Sequence, residues 1–390
     1  MPPADRGIGL PLCLAFHPLG RGFRSLAARA RIGNEPSRGA RAHPWGPHAM
    51  VNPTIPATVI GSWSFPGWYE KFIGDVRESP ERFGRLDRDE AVRDAVRLAV
   101  DDQVRAGLDR ITDGEMQRVD FNLGFYEYLG GLDPQPPARR WGAPAHDQRD
   151  RYRCVAPLSA PAGLGTIAEY RRLREVTDAP AKVPVPGPFT LAGCIDGGDV
   201  YPSRTAITEA LVPIVHAELL ALDAAGVDFI QLDEPSFACH PGSGEHFLDV
   251  IARTVQGVKA YLSMHMCFGN YRARAVGRRS YRPLFPQVGR AAVNQLALEF
   301  ASREMAEVEL LAELPESMDV AVGLVDVKNT WIEPAELVAE RLRQVLKYVE
   351  ARRVSVTPDC GFSQTARHVA TAKARAMVEG VRIVRRELKS

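Results

Sequence analysis

Four side chains of the kinds that bind transition metals stand at the ends of β-branched stretches. His265 and Cys267 are two residues apart, and Glu299 and Cys360 follow later in the chain. On a β-strand, a spacing of two places both side chains on one face. One imidazole, two thiolates and one carboxylate form a ligand set that suits zinc. We therefore predict a Zn²⁺ site on these four residues; the alternative is two buried free thiols beside a hydrogen-bonded histidine.

Further polar side chains occupy similar positions. Ser62, Glu115, Asp233 and Asp326 close other β-branched stretches. A core built only for packing would carry Val, Ile or Leu there. Two of these acids, Glu115 and Asp233, would lie near the mouth of the pocket, where burying them is costly unless a cation pairs with them. That cation is either a substrate ammonium or a local arginine such as Arg118, and the sequence leaves both open.

The elements that would position these residues alternate along the chain. Strands separated by helices indicate parallel βαβ units, and eight of them over about 330 residues predict an α/β fold of the TIM (β/α)8 barrel type, with catalytic groups at the C-terminal strand ends. A doubly wound sheet is the alternative, but no glycine-rich phosphate loop follows the first stretch. The predicted strands are 58–62, 109–115, 182–188, 229–235, 261–267, 294–300, 320–327 and 354–361, and the clearest helices are 89–106, 205–225, 334–352 and 366–388.

The composition is that of an ordinary globular protein. The 390 residues are 45% hydrophobic and 25% charged with a net charge of +1, which excludes wholesale disorder and gives no reason to expect nucleic acid or a membrane surface as a partner. No apolar run approaches the roughly 18 residues of a membrane span. The six cysteines are too sparse for the disulfide framework of a small secreted domain. We therefore expect a cytoplasmic protein.

Two segments differ from the barrel pattern. Residues 1–49 hold seven Arg and only two acids, with many Pro, Gly and Ala. Such a leader resembles a transit peptide, but we favour an upstream-extended start with Met50 as the initiator, and we expect this extension to be disordered or artefactual. The catalytic barrel would then span 50–390. Residues 133–181 are rich in Pro and Arg and exceed a normal connection, which predicts an inserted hairpin or lid.

From about Ile55 to Leu388 the chain resembles the catalytic barrel of cobalamin-independent methionine synthase. The long enzymes of that family also carry a duplicated N-terminal barrel, so the resemblance is to the short, single-barrel branch. The family pattern implies zinc on the four predicted ligands. The matching stretches are IGS (60–62), DGEMQRVDF (113–121), GPFT (187–190), QLDEP (231–235), HMC (265–267), LALE (296–299), VDV (325–327) and TPDCGF (357–362).

The resemblance also implies a reaction, the transfer of a methyl group to L-homocysteine to give methionine by a zinc-dependent S-methyltransferase. Glu115 and Asp233 would face the ammonium of homocysteine, and Ser62 would bind its carboxylate. A zinc ion with two thiolate ligands and one carboxylate ligand carries a net charge near −1. Such a site is a poor generator of hydroxide but suits a substrate thiolate.

Two departures from the family pattern concern the methyl donor. Residues 191–194 read Leu-Ala-Gly-Cys, without the aromatic residue that packs against folate in the long enzymes. Lys328, two residues after Asp326, stands where the family has a histidine that helps to protonate the departing folate. We predict Lys328 and Asp326 as catalytic residues. The departures weaken the case for methyltetrahydrofolate, so the partners would be a small thiol and an alkyl donor, with a corrinoid or another methyl carrier as an alternative to folate.

Other functions stay open at this point. Epoxyalkane:coenzyme M transferase belongs to the same superfamily, and Lys328 could protonate the alkoxide of an opened epoxide. Its sulfonate would need cations, although glutamate and aspartate in the pocket favour an amino-acid thiol. A barrel similar to uroporphyrinogen decarboxylase, which needs no metal, and a zinc-storing module are further alternatives. The cations available for a sulfonate are Arg272, Arg274, Arg278, Arg279, Arg282 and Arg290.

Overall fold

A computed structural model describes residues 55–118, 123–135, 151–239, 242–270 and 274–389. The predicted extension at 1–49 lies outside these residues, as do Arg272 and residues 136–150 of the predicted insertion. The proposed boundaries of the extension and the barrel therefore stay predictions.

Nine strands lie within the described residues. They are Gly130–Gln135 (β1), Arg151–Ser159 (β2), Val183–Pro186 (β3), Ile195–Asp196 (β4), Phe229–Asp233 (β5), Tyr261–Met266 (β6), Gln295–Glu299 (β7), Asp319–Val325 (β8) and Val354–Pro358 (β9). Six of them form one parallel sheet in the order β3-β5-β6-β7-β8-β9. Every residue of β5, β7 and β9 is buried, as expected for strands covered on both faces.

Two short bridge segments close this sheet into a barrel. Ala57 pairs in parallel with Val356 of β9, Thr58 pairs with Arg110, and Ile111 pairs with Ala181, just before β3. The backbone therefore passes around a ring of eight parallel segments. The predicted TIM barrel is confirmed, although its first two segments pair through single bridges.

Helices cover the outside of the barrel. They are Gly67–Glu78 (α1), Arg85–Ala106 (α2), Thr166–Val176 (α3), Pro188–Leu191 (α4), Arg204–Ala224 (α5), Pro235–Cys239 (α6), Gly244–Thr254 (α7), Ala335–Val345 (α8) and Arg367–Glu387 (α9). The described parts of the β6–β7 and β7–β8 connections contain only short 3₁₀ turns. The strict alternation of strands and helices that the sequence suggests therefore fails in this half of the barrel.

A second, small sheet lies beside the main one. Strands β1 and β2 form an antiparallel pair, and β4 joins β2 in parallel. The pair falls partly within the predicted insertion. Contacts of β2 and β4 with α5 attach this sheet to the barrel.

Helix α5 is the one described helix whose length and apolar composition would allow it to cross a membrane. Its buried side chains include Leu211, Val215 and Leu219. The carboxylate of Glu218, also buried, accepts hydrogen bonds from the backbone N–H groups of Leu164 (2.7 Å) and Thr166 (3.0 Å). These contacts are those of a helix packed on a protein core.

Candidate active site

The ends of β6 and β9 bring three metal-binding side chains together. One donor atom from each of His265, Cys267 and Cys360 lies within 4.8 Å of the other two. The two sulfur atoms are 3.5 Å apart. Nε2 of His265 is buried and has no hydrogen-bond partner among the described residues. An unpartnered nitrogen facing two sulfurs is the arrangement that a thiophilic ion such as zinc fits.

The charges around this cluster act on its protonation. Burial lowers the pKa of His265, but the hydrogen bond to Asp233 and the nearby sulfur of Cys360 outweigh burial and raise it to about 9. The hydrogen bond from Cys267, aided by His265, holds the pKa of Cys360 well below its usual range although burial opposes this. The shared proton and burial raise the pKa of Cys267 well above its usual range. The cluster therefore favours one thiolate even without an ion.

Glu299, the fourth predicted ligand, lies beside the cluster but outside the group of three mutually close donors. It is completely buried. Oε1 accepts hydrogen bonds from Nζ of Lys328 (2.6 Å) and from the hydroxyl of Ser302, and Oε2 accepts one from the N–H of Phe268 (3.1 Å). The carboxylate is thus held by a cation, a hydroxyl and an amide. Its role as a ligand stays a prediction.

Tyr281 fixes the spacing between β6 and β7. Its hydroxyl donates a hydrogen bond to the carbonyl of Met266 (2.7 Å) and accepts one from the N–H of Glu299 (2.8 Å). The side chain is fully buried against Phe268 and Phe300. It thereby sets the distance between the strand ends that carry Cys267 and Glu299.

Asp359 performs a similar task next to Cys360. Its Oδ1 accepts hydrogen bonds from the N–H groups of Phe300 (3.0 Å) and Ala301 (2.9 Å), and its Oδ2 accepts one from the N–H of Ser302 (2.6 Å). The turn that follows Glu299 is therefore attached to the residue that precedes Cys360. Gly323 leaves room for this contact, because a Cβ there would lie 2.3 Å from Oδ1 of Asp359.

Asp233, predicted to bind substrate, contacts the histidine of the cluster. Its Oδ1 accepts hydrogen bonds from Nδ1 of His265 (2.8 Å) and from Nε2 of Gln231 (2.8 Å). Donation from Nδ1 leaves Nε2 of His265 as the nitrogen that can bind a metal. The second carboxylate oxygen accepts none of the hydrogen bonds recorded for Asp233 in the described part of the chain, and Asp233 lines the central cavity.

Below Asp233 lies a buried polar pair. Nζ of Lys182 donates a hydrogen bond to Oε1 of Gln231, and both side chains are almost fully buried. Burial lowers the pKa of Lys182 to about 7, although Asp233 and Glu115 oppose the shift. A chain of contacts therefore runs from Lys182 through Gln231 and Asp233 to His265.

Glu115 adopts a left-handed backbone conformation (φ 57°) at the end of the second barrel segment. Its Oε1 accepts a hydrogen bond from Nη1 of Arg118 (3.1 Å), and Arg118 also binds Glu169 and the carbonyl of Pro184. The pairing with Arg118 that the sequence left open is therefore present for Glu115 but not for Asp233. Burial raises the pKa of Glu115 well above its usual range even against the charge of Arg118.

Part of this group of side chains lines a cavity of about 400 Å³ at the C-terminal end of the barrel. Ser62 lies at its edge, where its Oγ accepts a hydrogen bond from the N–H of Ser363 (3.4 Å). A Cβ on Gly361 would lie 2.0 Å from this Oγ, so the glycine lets the first and last barrel segments meet. The predicted site residues that line the cavity are Ser62, Glu115, Asp233, His265, Cys267 and Cys360.

Asp326 and Lys328 are not among the residues that line this cavity. The carboxylate of Asp326 accepts hydrogen bonds from the N–H of Lys328 (2.7 Å) and from the side-chain amide of Asn329 (2.5 Å). Burial lowers the pKa of Lys328, but Glu299 outweighs this effect and raises it. These contacts organise the loop after β8; catalysis by either residue stays a prediction.

Three of the arginines considered for a sulfonate bind other groups of the protein. Arg282 pairs with Glu309 (2.7 Å), and Arg290 pairs with Glu245 (2.8 Å). Arg279 donates to the carbonyl of Ser302 (3.0 Å). None of the described arginines of this segment lines the cavity.

Sequence reasoning missed Gln231 and Lys182. Gln231 precedes Asp233 by two residues, so the period of a strand puts both on one face. A polar residue at that position was the available signal. Lys182 stands at the start of the third predicted strand, where a sequence pattern gives no indication that an ammonium group points into the barrel.

A family model described as "Cobalamin-independent synthase, Catalytic domain" matches residues 55–382. Proteins named methionine synthase are similar over most of the chain. The one from Thermococcus kodakarensis is 34% identical over 343 residues, which cover 87% of this chain and 96% of that protein. The one from Pyrococcus furiosus is 32% identical over 345 residues, which cover 87% and 95%.

Solved structures resemble the barrel as well. A B12-independent methionine synthase from a Shewanella species, determined in complex with selenomethionine, superposes with a TM-score of 0.71 at 27% identity and covers 86% of this chain and 99% of its own. A putative vitamin-B12-independent methionine synthase from Listeria monocytogenes gives a TM-score of 0.62 at 21% identity, with coverages of 84% and 96%. At that identity the second likeness supports the fold alone.

Proposed function

Because this chain belongs to the family of cobalamin-independent methionine synthase catalytic domains, we propose that it transfers a methyl group to the sulfur of L-homocysteine, forming methionine with the help of zinc. The observation that carries the proposal is the convergence of His265, Cys267 and Cys360 within 4.8 Å at a cavity that Glu115 and Asp233 also line. A nitrogen and two sulfurs select a thiophilic ion, and carboxylates select an ammonium group.

His265, Cys267 and Cys360 would hold the ion, with Glu299 as the fourth ligand. A zinc ion bound there would lower the pKa of a substrate thiol and so favour its thiolate form. The substrate sulfur, its proton released to solvent, would attack the methyl carbon of the donor; the new S–C bond would form as the bond between methyl and carrier breaks, and the bonding electrons would leave with the carrier.

The chain's own residues would orient the amino acid. Asp233 has one carboxylate oxygen that accepts no hydrogen bond from the described residues, which suits the substrate ammonium. Glu115 carries its own arginine, Arg118, so it would share its charge between Arg118 and the ammonium. Ser62 would hydrogen-bond the carboxylate of the amino acid. Fixing both ends of the amino acid aims its sulfur at the metal cluster.

The donor would be a methyl carrier other than methyltetrahydrofolate, such as a methylated corrinoid. Gly193 and Cys194 line the cavity where an aromatic residue would support folate. Lys328 is held by Glu299 and is therefore a poor substitute for a histidine that releases a proton. Acids line the cavity, and none of the described arginines of residues 274–290 does, which disfavours the sulfonate of coenzyme M.

The test is to replace Cys267 and Cys360 separately with Ser and to measure zinc content and thiol methylation with homocysteine and a panel of methyl donors. We expect both variants to lose zinc and activity. Cys194→Ser is the matched control, because Cys194 lines the same cavity outside the cluster; it should keep its zinc. Full methylation by a zinc-free variant would refute the proposal.

A further inference from the structure

The carboxylate of Asp233 contacts the metal cluster with one oxygen and faces the cavity with the other. Its Oδ1 accepts hydrogen bonds from His265 and Gln231, both at 2.8 Å. Its other oxygen is left for the cavity, which Asp233 lines. One rigid carboxylate therefore joins the imidazole of the metal cluster to the place where a substrate ammonium would bind.

Lys182 decides how Gln231 faces Asp233. A glutamine amide has one accepting end and one donating end. The ammonium of Lys182 binds the accepting Oε1, so the donating Nε2 must point to Asp233. With the amide reversed, its oxygen would face the carboxylate of Asp233 and its NH₂ group would face the ammonium of Lys182. Both hydrogen bonds would then be lost. The contact with Lys182 thus fixes the hydrogen bond that Gln231 donates to Asp233.

The buried position of the Lys182 amine destabilises the folded protein. Its side chain is almost fully buried, and burial lowers its pKa to about 7. It packs near the ring of Phe229, 5.9 Å from the centroid. An apolar side chain would fill this space without desolvating an amine. The hydrogen bond to Gln231 is the contact that an apolar side chain could not supply.

We propose that Lys182 and Gln231 are positioning residues that hold Asp233, and through it His265, in the orientation that binds the metal and reads the amino group of the thiol substrate. The inference rests on the proposed function, because it assumes a metal at the cluster. It adds that amino-group recognition and metal binding share one carboxylate. Disturbing the buried pair should therefore weaken both.

The experiment uses Co²⁺ as a spectroscopic probe and needs no methyl donor. Co²⁺ affinity is measured by chelator competition, and the ligand-field absorption reports the orientation of the imidazole. Lys182→Met and Gln231→Met should each weaken Co²⁺ binding by about 10-fold or more, the usual effect of losing an outer partner of a metal-binding histidine, and should alter the spectrum. Gln231→Glu keeps an acceptor for Lys182 but turns a carboxylate toward Asp233, so it should weaken binding as well.

The chain offers a matched control in Gln295→Met. Gln295 is a buried glutamine of the same barrel layer, but its amide contacts Ser263 (2.9 Å) and Ser355 (2.7 Å) instead of Asp233. This variant should keep the parent affinity and spectrum. Parent-like Co²⁺ binding in Lys182→Met, Gln231→Met and Gln231→Glu would overturn this inference but not the proposed function. Failure of the parent protein to bind Co²⁺ would overturn the proposed function with it.

A second arm tests the shared carboxylate. Homocysteine and 4-mercaptobutyrate, which lacks the amino group, are titrated into the Co²⁺ proteins. The parent should prefer homocysteine, and this preference should shrink in Gln231→Met but not in Gln295→Met. An unchanged preference in a Gln231→Met protein that folds as shown by circular dichroism would overturn the link between amino-group recognition and the metal site.

Discussion

The ammonium of Lys328 lies 2.6 Å from Oε1 of Glu299, and both side chains are buried. The pair gives the carboxylate of a predicted metal ligand a permanent counter-charge. A buried carboxylate without such a partner would be strongly disfavoured. Lys328 therefore offsets the cost of burying the Glu299 carboxylate, which is a different task from delivering a proton.

Lys328→Met should destabilise the metal-free protein. Removing one partner of a buried pair leaves an uncompensated charge, which costs about 3–5 kcal/mol. Urea unfolding of the metal-free protein measures this loss. If Glu299 is a zinc ligand, zinc supplies the missing positive charge, so zinc should stabilise Lys328→Met more than it stabilises the parent.

Lys347→Met is the control for this comparison, because Lys347 forms no recorded ion pair among the described residues and lies on the exterior after α8. It should leave unfolding and the zinc effect unchanged. An equal gain from zinc in the parent and in Lys328→Met would argue that Glu299 does not contact the ion.

The eight barrel positions could be predicted from the sequence because buried parallel strands are short β-branched runs between helices. The predicted strand 229–235, for instance, contains the observed Phe229–Asp233. The first two segments could not be anticipated as single bridges. Nor could the 3₁₀ connections after β6 and β7, because local pattern does not reveal which outer helices a barrel omits.

The metal cluster was predictable because His265 and Cys267 share a face through period two, and Cys360 ends the last strand. The contact from Asp233 to His265 depends instead on the register between β5 and β6, which the sequence does not specify. The pairing of Lys328 with Glu299 depends in the same way on how the loop after β8 folds back. Side-chain partners across strands therefore needed the structure.

Gly323→Ala should disturb the metal site from outside it. The new Cβ would lie 2.3 Å from Oδ1 and 2.8 Å from Cα of Asp359, so the residue before Cys360 must move. Such overpacking costs about 1–3 kcal/mol, and we expect weaker zinc binding in addition to a lower unfolding midpoint. Gly74→Ala, in a helix with no atom within 4 Å of the new Cβ, should do neither. Normal zinc affinity in Gly323→Ala would show that the cluster tolerates a displaced Asp359.

Removal of the metal should expose Cys267 and Cys360 to oxidation. Their sulfurs are 3.5 Å apart, and the low pKa of Cys360 supplies a thiolate for disulfide formation. In zinc-depleted protein a mild oxidant should link the two, as peptide mass mapping would reveal, while Cys154 and Cys194 stay reduced. Zinc-loaded protein should resist. Equal oxidation with and without zinc would contradict a metal held by these sulfurs.

The buried amine of Lys182 predicts a pH dependence of stability. Burial lowers its pKa in the folded state to about 7, against the opposing charges of Asp233 and Glu115 and assisted by that of Arg110. Between this value and the ordinary lysine pKa of about 10.4, the unfolded chain binds the proton and the folded chain does not. The free-energy penalty for burying the charged amine is therefore complete below pH 7 and disappears as the pH rises through the ordinary lysine range.

Relative to the parent, Lys182→Met should be favoured most near pH 7, and its advantage in free energy of unfolding should fall with rising pH by at most about 1.4 kcal/mol per unit. Urea unfolding of both proteins at pH 7 and pH 9 measures the difference, in which the other titrating groups cancel. A difference that does not change with pH would mean that Lys182 keeps its charge inside the barrel.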